Sequence, residues 1–302
     1  MRADPFFVQN TMTSLNQAQS TQQQLTEELA TGVSVTSLSS NPTAAAQDGM
    51  VTSEISVDDT FSQNEATTYS MMQVTDSTLT DVVSQLQSAI SAATSGDNGT
   101  LTSANEQSVA DTLEGIRSTI LGLANTSYQG VSIFAGTQSG VTAFTLDTTT
   151  TPATVNYNGD NNTMIISTPS GSTIPTSIPG DQIFGGGTAG ATGANVLGVL
   201  SNLINDFSTG ASGVADTAAL SSAVTQVANL QSKFDSGMQQ LSTTATYVAG
   251  QVTELASTQN TLVGANYAQV STQLASNETQ QSALLDVMAS ADKSNDLFDY
   301  LN

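Results

Sequence analysis

The chain of 302 residues has room for two or three domains, and its 26 acidic residues against four basic ones give a formal net charge of −22. Because phosphate groups are bound by clustered Lys and Arg, this charge argues against nucleic acid and against an anionic membrane surface as partners. The absence of Cys and His excludes disulfides, thiol and imidazole catalysis, and the commonest zinc ligands. No apolar run is long enough for membrane insertion, and residues 1–30 lack the pattern of a cleaved signal peptide.

Residues 6–31 are predicted to form a helix with few apolar positions. Gln and Thr occupy most of its remaining sites, and Gly32 provides a natural end. A helix with so little to bury is marginal in water on its own. We therefore expect this arm to be frayed in the free monomer and to order only on assembly, with residues 33–40 as a connector.

A second helix is predicted to begin at residues 41–42, because Asn caps helices and Pro is favoured at the first helical position. Its clearest apolar seam, in alternate steps of four and three, covers residues 72–93. After a turn at residues 96–99, Ser103 and Glu106 predict a capping box that opens a third helix with its own seam. These two helices are expected to pack antiparallel.

The composition changes in the middle of the chain, where residues 137–194 hold four of the six prolines and many Gly and Thr residues. Short strands are predicted there and just before it, at residues 128–136, 155–157, 164–167 and 183–184. The Gly-rich run after the last of these is expected to be a flexible link. This part of the chain is therefore predicted to be a small β-rich insertion between helical segments.

Helical periodicity resumes at residues 195–207 and, after a loop at residues 208–216, dominates residues 220–262. In this long stretch the seam positions, in alternate steps of four and three, are all apolar except Gln231 and Gln259. Such a sustained repeat is typical of a helix that pairs with another along one narrow seam. The two glutamines have two interpretations: a hydrated layer in a polar bundle, or a contact across the helices that sets their register.

Beyond this helix the seam slips by one residue near Gly264, which predicts a joint before a last helical arm. The predicted fold class is mainly α with a β-rich insertion: a long antiparallel helical bundle with terminal coiled-coil arms and a small outer β domain. The predicted domains are the terminal arms (residues 1–40 with 265–302), a helical rod (41–136 with 195–264) and the outer β domain (137–194).

No pattern in the chain predicts a catalytic, cofactor or metal site. The adjacent acids at residues 58–59 would point about 100° apart on a helix, which prevents them from converging on a substrate. Alternating Asn and Asp at residues 156–162 resemble the start of a calcium-binding loop. Because Ser167 stands where such a loop needs Glu, a β-turn is predicted instead.

Several short motifs, taken with the order of the segments, carry a family resemblance. They are residues 28–32 (ELATG), 41–45 (NPTAA), 113–117 (LEGIR), 123–125 (LAN), 130–136 (GVSIFAG), 157–160 (YNGD) and 183–184 (IF). Together they resemble the flagellin superfamily, and within it the hook–filament junction proteins. The resemblance spans almost the whole chain in order, which makes it more specific than any single motif.

The resemblance implies a structural axial component of the bacterial flagellum that joins the hook side to the filament as a junction adaptor. It implies an extracellular position in the flagellum, reached without a cleaved signal peptide. Implied partners are hook-associated protein 1 (the first junction protein), flagellin, further copies of the chain in a ring, and an export chaperone.

Assembly is expected to cover the apolar stripes of the two terminal arms. The residues expected to form this interface are Phe7, Val8, Met12, Leu15, Val270, Leu274, Leu284, Met288, Leu297, Phe298 and Leu301. For each of them, helix pairing within one chain is the alternative. Two other functions remain open: a flagellin that polymerises by itself into a filament, and an unrelated coiled-coil secreted surface protein. An enzyme is the least favoured class.

Overall fold

The computed structural model of the chain describes residues 5–35, 41–97, 102–186, 194–211 and 213–299. The helices are α1 (Pro5–Thr31), α2 (Pro42–Gly96), α3 (Ser103–Ala124), α4 (Asp181–Phe184), α5 (Val196–Thr209), α6 (Val214–Val263) and α7 (Tyr267–Asp299). The strands are β1 (Ser127–Tyr128), β2 (Val131–Ser132), β3 (Phe144–Asp147), β4 (Thr154–Tyr157), β5 (Ile165–Ser167) and β6 (Thr173–Pro175). The chain is therefore mainly helical, with a small strand-containing region, as predicted.

The chain divides into two compact units. Unit 1 comprises Met1–Val57 and Gln251–Asn302, and unit 2 comprises Asp58–Gly250. Unit 1 thus joins the two ends of the chain, and unit 2 contains the strands. The three-domain division predicted from the sequence stays a prediction.

The predicted end of α1, the start of α2 and the break before α7 are confirmed, whereas α6 begins at Val214, within the loop predicted at residues 208–216. Gly32 follows α1 with a φ of 73°, a left-handed conformation that glycine adopts without strain. Asn41 precedes α2, and its side-chain oxygen accepts a hydrogen bond from the Ala44 N–H at 3.1 Å. The break between α6 and α7 falls at residues 264–266, where the seam slips. The predicted turn at residues 96–99 and the connector at 33–40 lie partly outside the described residues.

The capping box predicted for Ser103 and Glu106 is wrong. Thr102, with extended φ and ψ of −80° and 155°, is the N-cap, and Ser103 is already helical. The Glu106 N–H donates to the Thr102 carbonyl at 3.0 Å, and the cap makes no side-chain hydrogen bond. The backbone of Thr102 alone therefore begins the helix.

The strands pair as three two-stranded antiparallel ribbons: β1 with β2, β3 with β4, and β5 with β6. The single strand predicted at residues 128–136 is instead a tight hairpin, because Gln129 and Gly130 both have positive φ, at 51° and 82°. The strand predicted at residues 183–184 is also wrong, since both residues belong to α4. The strands predicted at residues 155–157 and 164–167 are confirmed as β4 and β5, within one residue.

The centre of the strand region in unit 2 is a cluster of aromatic rings. The Phe134 and Phe144 rings meet the Phe184 ring edge-on, with centroids 5.1 and 5.3 Å apart. The Tyr157 ring lies against Phe144 at 5.0 Å, and its hydroxyl is 2.9 Å from the Phe134 carbonyl and 2.7 Å from the Asp160 carbonyl. Edge-to-face packing of buried rings stabilises beyond the area that they bury.

In unit 2, Gln231 of α6 reaches across to α2. Its side-chain N–H donates to Asp76 Oδ1 at 2.7 Å and to Thr80 Oγ1 at 3.0 Å. The same pattern occurs in unit 1. There Gln259 donates to Asp48 Oδ1 at 2.8 Å and to Thr52 Oγ1 at 2.9 Å.

The two glutamines lie four heptads apart on α6, and their acidic partners lie four heptads apart on α2. The same antiparallel pairing therefore satisfies both sets of hydrogen bonds. A shift of one helix along the other would break both sets and leave their partly buried side chains without these partners, which lowers stability. The contact across the helices that the second interpretation expected is therefore present, and its role in setting the register stays a prediction.

Candidate assembly interface

The two ends of the chain meet in unit 1, where α1 packs along α7. Ala18 and Leu25 of α1 and Val270 of α7 are buried in this pair. Because α1 has few large apolar residues, small Ala and polar Thr side chains share the seam, and Thr11 is buried as well. Helix pairing within one chain is therefore present, and it covers one side of each helix.

Two seam positions of α7, Asn277 and Gln281, are polar, and their side chains form a cluster of hydrogen bonds with α1. The Gln281 side-chain N–H groups lie 3.0 Å from the Ala18 carbonyl, 3.0 Å from Gln22 Oε1 and 2.7 Å from Asn277 Oδ1. Asn277 is itself buried. These hydrogen bonds join α1 to α7, as the seam glutamines join α2 to α6.

The connectors beside these helices also pair. Val33 and Gly264 form an antiparallel bridge, in which the Ser34 N–H donates to the Val263 carbonyl at 2.6 Å and the Ala265 N–H donates to the Gly32 carbonyl at 2.8 Å. A side chain at Gly32 would collide with the Tyr267 hydroxyl, 2.7 Å from the position of its first carbon. Backbone pairing therefore joins the end of α1 to the start of α7.

The predicted interface residues differ in exposure within this pair. Phe7 and Met12 are 47% and 52% exposed, whereas Val270 is 4% exposed and belongs to the seam between α1 and α7. The half-buried positions are Leu15, Leu274, Leu284 and Met288. The side chains of Val8, Leu297, Phe298 and Leu301 lie outside the described residues.

Sequence reasoning missed three exposed apolar residues in the same helices. Phe6 lies beside Phe7, and Leu285 and Val287 lie between the predicted positions Leu284 and Met288. The single-seam pattern excluded them because it assigns one apolar stripe to each helix. The consecutive apolar pair at residues 284–285 was the available signal that a second face of α7 is apolar.

The residues considered for chemistry do not converge. Asp58 is buried and Asp59 is exposed, so the two carboxylates lie in different environments. Asp160 instead caps a loop. Its carboxylate accepts the Thr137 N–H at 2.9 Å, the Thr137 hydroxyl at 2.5 Å and the Asn162 N–H at 3.0 Å. These hydrogen bonds, those from Thr137 foremost, lower the pKa of Asp160 to about 2.

Within the described residues, no group of three or more Asp and Glu side chains is arranged to hold a metal ion. No helix in the described part of the chain has the length and hydropathy needed to cross a membrane.

Comparisons with known proteins match parts of the chain. Residues 6–139 match the family model of the bacterial flagellin N-terminal helical region. Flagellar hook-associated protein 3 of Salmonella typhimurium is 28% identical over 181 residues, which cover 60% of this chain. The aligned part spans 55% of the length of that relative.

Two solved structures share the fold. That of Bacillus cereus FlgL superposes with a TM-score of 0.57 at 17% identity, covering 70% of this chain and 99% of the other. A flagellar hook-associated protein 3 from Legionella pneumophila gives a TM-score of 0.60 at 13% identity, covering 71% and 98%. The chain therefore has the flagellin-type fold, and its resemblance to the flagellin superfamily, and within it to hook-associated protein 3, is confirmed.

Proposed function

We propose that this chain is a structural axial component of the bacterial flagellum that joins the hook side to the filament as a junction adaptor. The observation that carries the proposal is the exposed apolar surface of α1 and α7, on a chain that is similar to hook-associated protein 3. Large exposed apolar side chains that lie close together mark interaction sites. The role is structural rather than enzymatic, and its place is in the flagellum, outside the cell.

The proposed mechanism is completion of unit 1 by neighbouring subunits. The α1–α7 pair buries one seam, and Phe7, Met12 and Leu285 remain on its surface. Full burial of each such side chain would contribute about 1.5–3 kcal/mol, less the part already covered. Heterologous contacts of this kind between copies generate rings or helical arrays. The half-buried positions Leu15, Leu274, Leu284 and Met288 extend the same surface, and the arms are frayed before they assemble.

The proposed partners are hook-associated protein 1 on one side, flagellin on the other, further copies of the chain in a ring, and an export chaperone that binds the chain before assembly. An adaptor must present different surfaces to its two neighbours, and two units of unlike structure provide them. A substitution of Phe7 by Glu in the full chain is expected to abolish incorporation into flagella while the secreted protein remains folded. Unimpaired incorporation of this variant would contradict the assembly role of the arms.

A flagellin remains the second candidate, because the matched region of residues 6–139 is of the flagellin type. The two functions differ in self-assembly. The purified full-length junction protein is expected to stay monomeric in light scattering at concentrations where a flagellin grows into filaments. Filament growth from this protein alone would replace the junction role with that of a filament subunit.

A further inference from the structure

The ribbon of β5 and β6 in unit 2 has one protected edge and one open edge. On the side of β6, Pro175 has no N–H to donate, and its carbonyl oxygen lies 3.3 Å from where a first side-chain carbon of Gly237 in α6 would stand. Proline and a covering helix are two ways in which proteins keep a strand edge from pairing. β5 contains no proline, so its outer edge keeps all of its hydrogen-bonding groups.

The hydrogen-bond pattern shows which groups of β5 point outwards. Residues 164 and 176, and residues 168 and 172, are each joined across the ribbon by a backbone N–H to C=O bond of 2.8 Å. Bonded and non-bonded pairs alternate in an antiparallel ribbon. The N–H and C=O groups of Ile165 and Ser167 therefore point away from β6. Since β5 pairs with no strand other than β6 in the described part of the chain, these groups are open to a further strand.

The open edge of β5 faces a groove beside α2. A cavity of about 470 Å³ touches the consecutive residues Ile165, Ile166 and Ser167 as well as α2. Because successive side chains of a strand point to opposite faces, a cavity that touches three in a row runs along the strand edge. A second cavity, of about 570 Å³, shares Ile165 and two α2 residues with the first and continues to the β1–β2 hairpin. We call the two cavities together the edge groove.

The lining of the edge groove is largely apolar, and a negative charge stands beside it. Met71, Met164 and Val131 line the larger cavity, and no charged side chain lines either cavity. Thr137, which also lines the larger cavity, donates its N–H and its hydroxyl to the carboxylate of Asp160. These hydrogen bonds fix an ionised carboxylate next to one end of the groove.

We propose that the edge groove binds an extended segment of a different protein, which carries basic side chains and adds to the ribbon as a third strand beside β5. The proposal rests on the proposed function, because a neighbouring component of the flagellum supplies the segment. The open backbone groups select an extended occupant, since a strand presents its own N–H and C=O groups at the matching spacing. Alternate side chains of this segment enter the two cavities.

Charge selects the kind of segment. The only basic residues of unit 2 are Arg117 and Lys233, and Arg117 is buried. With a net charge of −22, the chain attracts a basic segment and repels an acidic one. The Asp160 carboxylate adds a specific partner for a basic side chain at the end of the strand. A second copy of this chain has the same acidic charge and only four basic residues, so the segment belongs to another protein.

The first test measures binding to the free full-length protein. The probe is a heptapeptide of alternating Thr and Val with a Lys at each end. We expect it to slow amide exchange of Ile165 and Ser167 at least about tenfold, while Ile166, already bonded within the ribbon, changes little. The same peptide with Glu at each end should bind at least about tenfold more weakly. Unchanged exchange at Ile165 and Ser167, or equal binding of the two peptides, would overturn the proposal.

Two proline variants separate the strand edge from the rest of the groove. Ser167→Pro removes an N–H that points out of the ribbon at β5, and the matched control, Thr173→Pro, removes the N–H that points out opposite it at β6. Neither change breaks a bond between the two strands, so both variants should fold. We expect the first to weaken binding of the Lys peptide at least about tenfold and the second to leave it unchanged. Equal effects of the two would refute strand addition.

The second test identifies the occupant in assembled flagella. The chain has no cysteine, so Ile165→Cys creates a unique thiol that can carry a photo-crosslinker. We expect a product with a different flagellar protein, which is lost when Ser167→Pro is added. A product of twice the chain mass, or no product, would overturn the proposal. If the chain does not enter flagella at all, the proposed function fails, and the peptide test still decides whether the groove binds a strand.

Discussion

Among the described residues, most large apolar side chains of unit 2 lie inside it, with Ile165, Val214 and Tyr247 as the exposed ones, whereas eight of those in unit 1 lie on its surface. Phe134, Phe144 and Phe184 are almost completely buried in unit 2, while Phe6 and Phe7 of unit 1 are exposed. The two units use the same residue type in opposite ways. Unit 2 has the helices and ribbons needed to enclose an aromatic cluster, whereas the described part of unit 1 consists mainly of helices that pair along single seams.

The difference follows from how much surface paired helices can cover. Two helices bury one seam each, and an amphipathic helix with a second apolar face needs a further partner. In unit 1 the seams also contain polar groups such as Gln281 and Gln259, which join the helices with hydrogen bonds rather than with apolar area. We infer that unit 2 is stable by itself and that unit 1 gains much of its stability from neighbouring subunits.

The largest expected effect separates the two kinds of phenylalanine. Phe134→Ala should destabilise the monomer by about 3–5 kcal/mol, because it removes a fully buried ring and leaves a cavity. Phe7→Ala, at an exposed site in unit 1, should change the stability of the monomer by less than about 0.5 kcal/mol. Urea unfolding of both full-length variants measures the contrast, and similar losses of stability would remove the distinction between the units.

The seam glutamine of unit 2 provides the next largest effect. Gln231→Glu places a carboxylate against Asp76 and close to Asp235, so it replaces two hydrogen bonds with repulsion. We expect a loss of about 1–3 kcal/mol at pH 7. Gln240→Glu, which adds the same charge at an exposed position of α6, is the matched control. Equal stability of the two variants in denaturant unfolding would show that Gln231 does not set the register.

A smaller expected effect is a change of stability with pH, which arises from acidic residues of unit 2. Burial raises the pKa of Asp235, Asp216 and Asp181, and in the first two a neighbouring carboxylate adds to it. A raised pKa in the folded state means that the stability is full below the unfolded pKa, near 4, and is lost as the pH rises. Thermal unfolding should therefore occur at a slightly higher temperature at pH 4–5 than at pH 7, which agrees with the acidic sequence pI of about 4.1.

The pKa of Asp160 is shifted in the opposite direction, downwards. Its folded pKa of about 2 is below the unfolded value, so its contribution is present above pH 4 and is lost as the pH falls towards 2. The Asp160→Asn variant should lose stability at pH 5 and show a shallower decline between pH 4 and pH 2 than the wild type. Marked destabilisation of the wild type at pH 4 relative to pH 7 would contradict the first pH prediction, and an equally steep decline of the variant and the wild type between pH 4 and pH 2 would contradict the second.

The smallest expected change tests the backbone between the arms. In the Gly32→Ala variant, a residue with a side chain must adopt a left-handed conformation. Its methyl group also collides with the Tyr267 hydroxyl, but this hydroxyl is the end of a side chain that can move aside. We expect a loss of about 1 kcal/mol that is confined to unit 1. Amide exchange in α1 and α7 should quicken while that of the unit 2 core stays unchanged. Faster exchange in both units would show that they do not unfold separately.

Most of the helices could be predicted because their signals are local. The seam repeats, the Asn41 cap and Gly32 all act within a few residues, and so does the slip at Gly264. The strand region was harder. Phe184 lies in a short helix and Phe144 in a strand, and both rings join the cluster with Phe134. These contacts join residues that are far apart in the sequence, so no local pattern predicts them.

The candidate interface could be predicted only in part for a related reason. A seam pattern identifies which residues are apolar and share a helix face, but not which of two faces is covered. Val270 was expected in an intermolecular contact and lies in the seam with α1, whereas Leu285, outside the predicted pattern, is exposed. Exposure depends on which helices the fold brings together, so it became visible only in the structure.

Amide hydrogen exchange of the full-length protein, measured in the free monomer and again in assembled flagella, tests the difference between the units most directly. In the monomer the amides of α1 and α7 should exchange much faster than those around Phe134 and Leu79, and they should slow markedly on assembly while the unit 2 core changes little. If the amides of α1 and α7 are already as protected in the monomer as the unit 2 core, the terminal helices do not need neighbouring subunits.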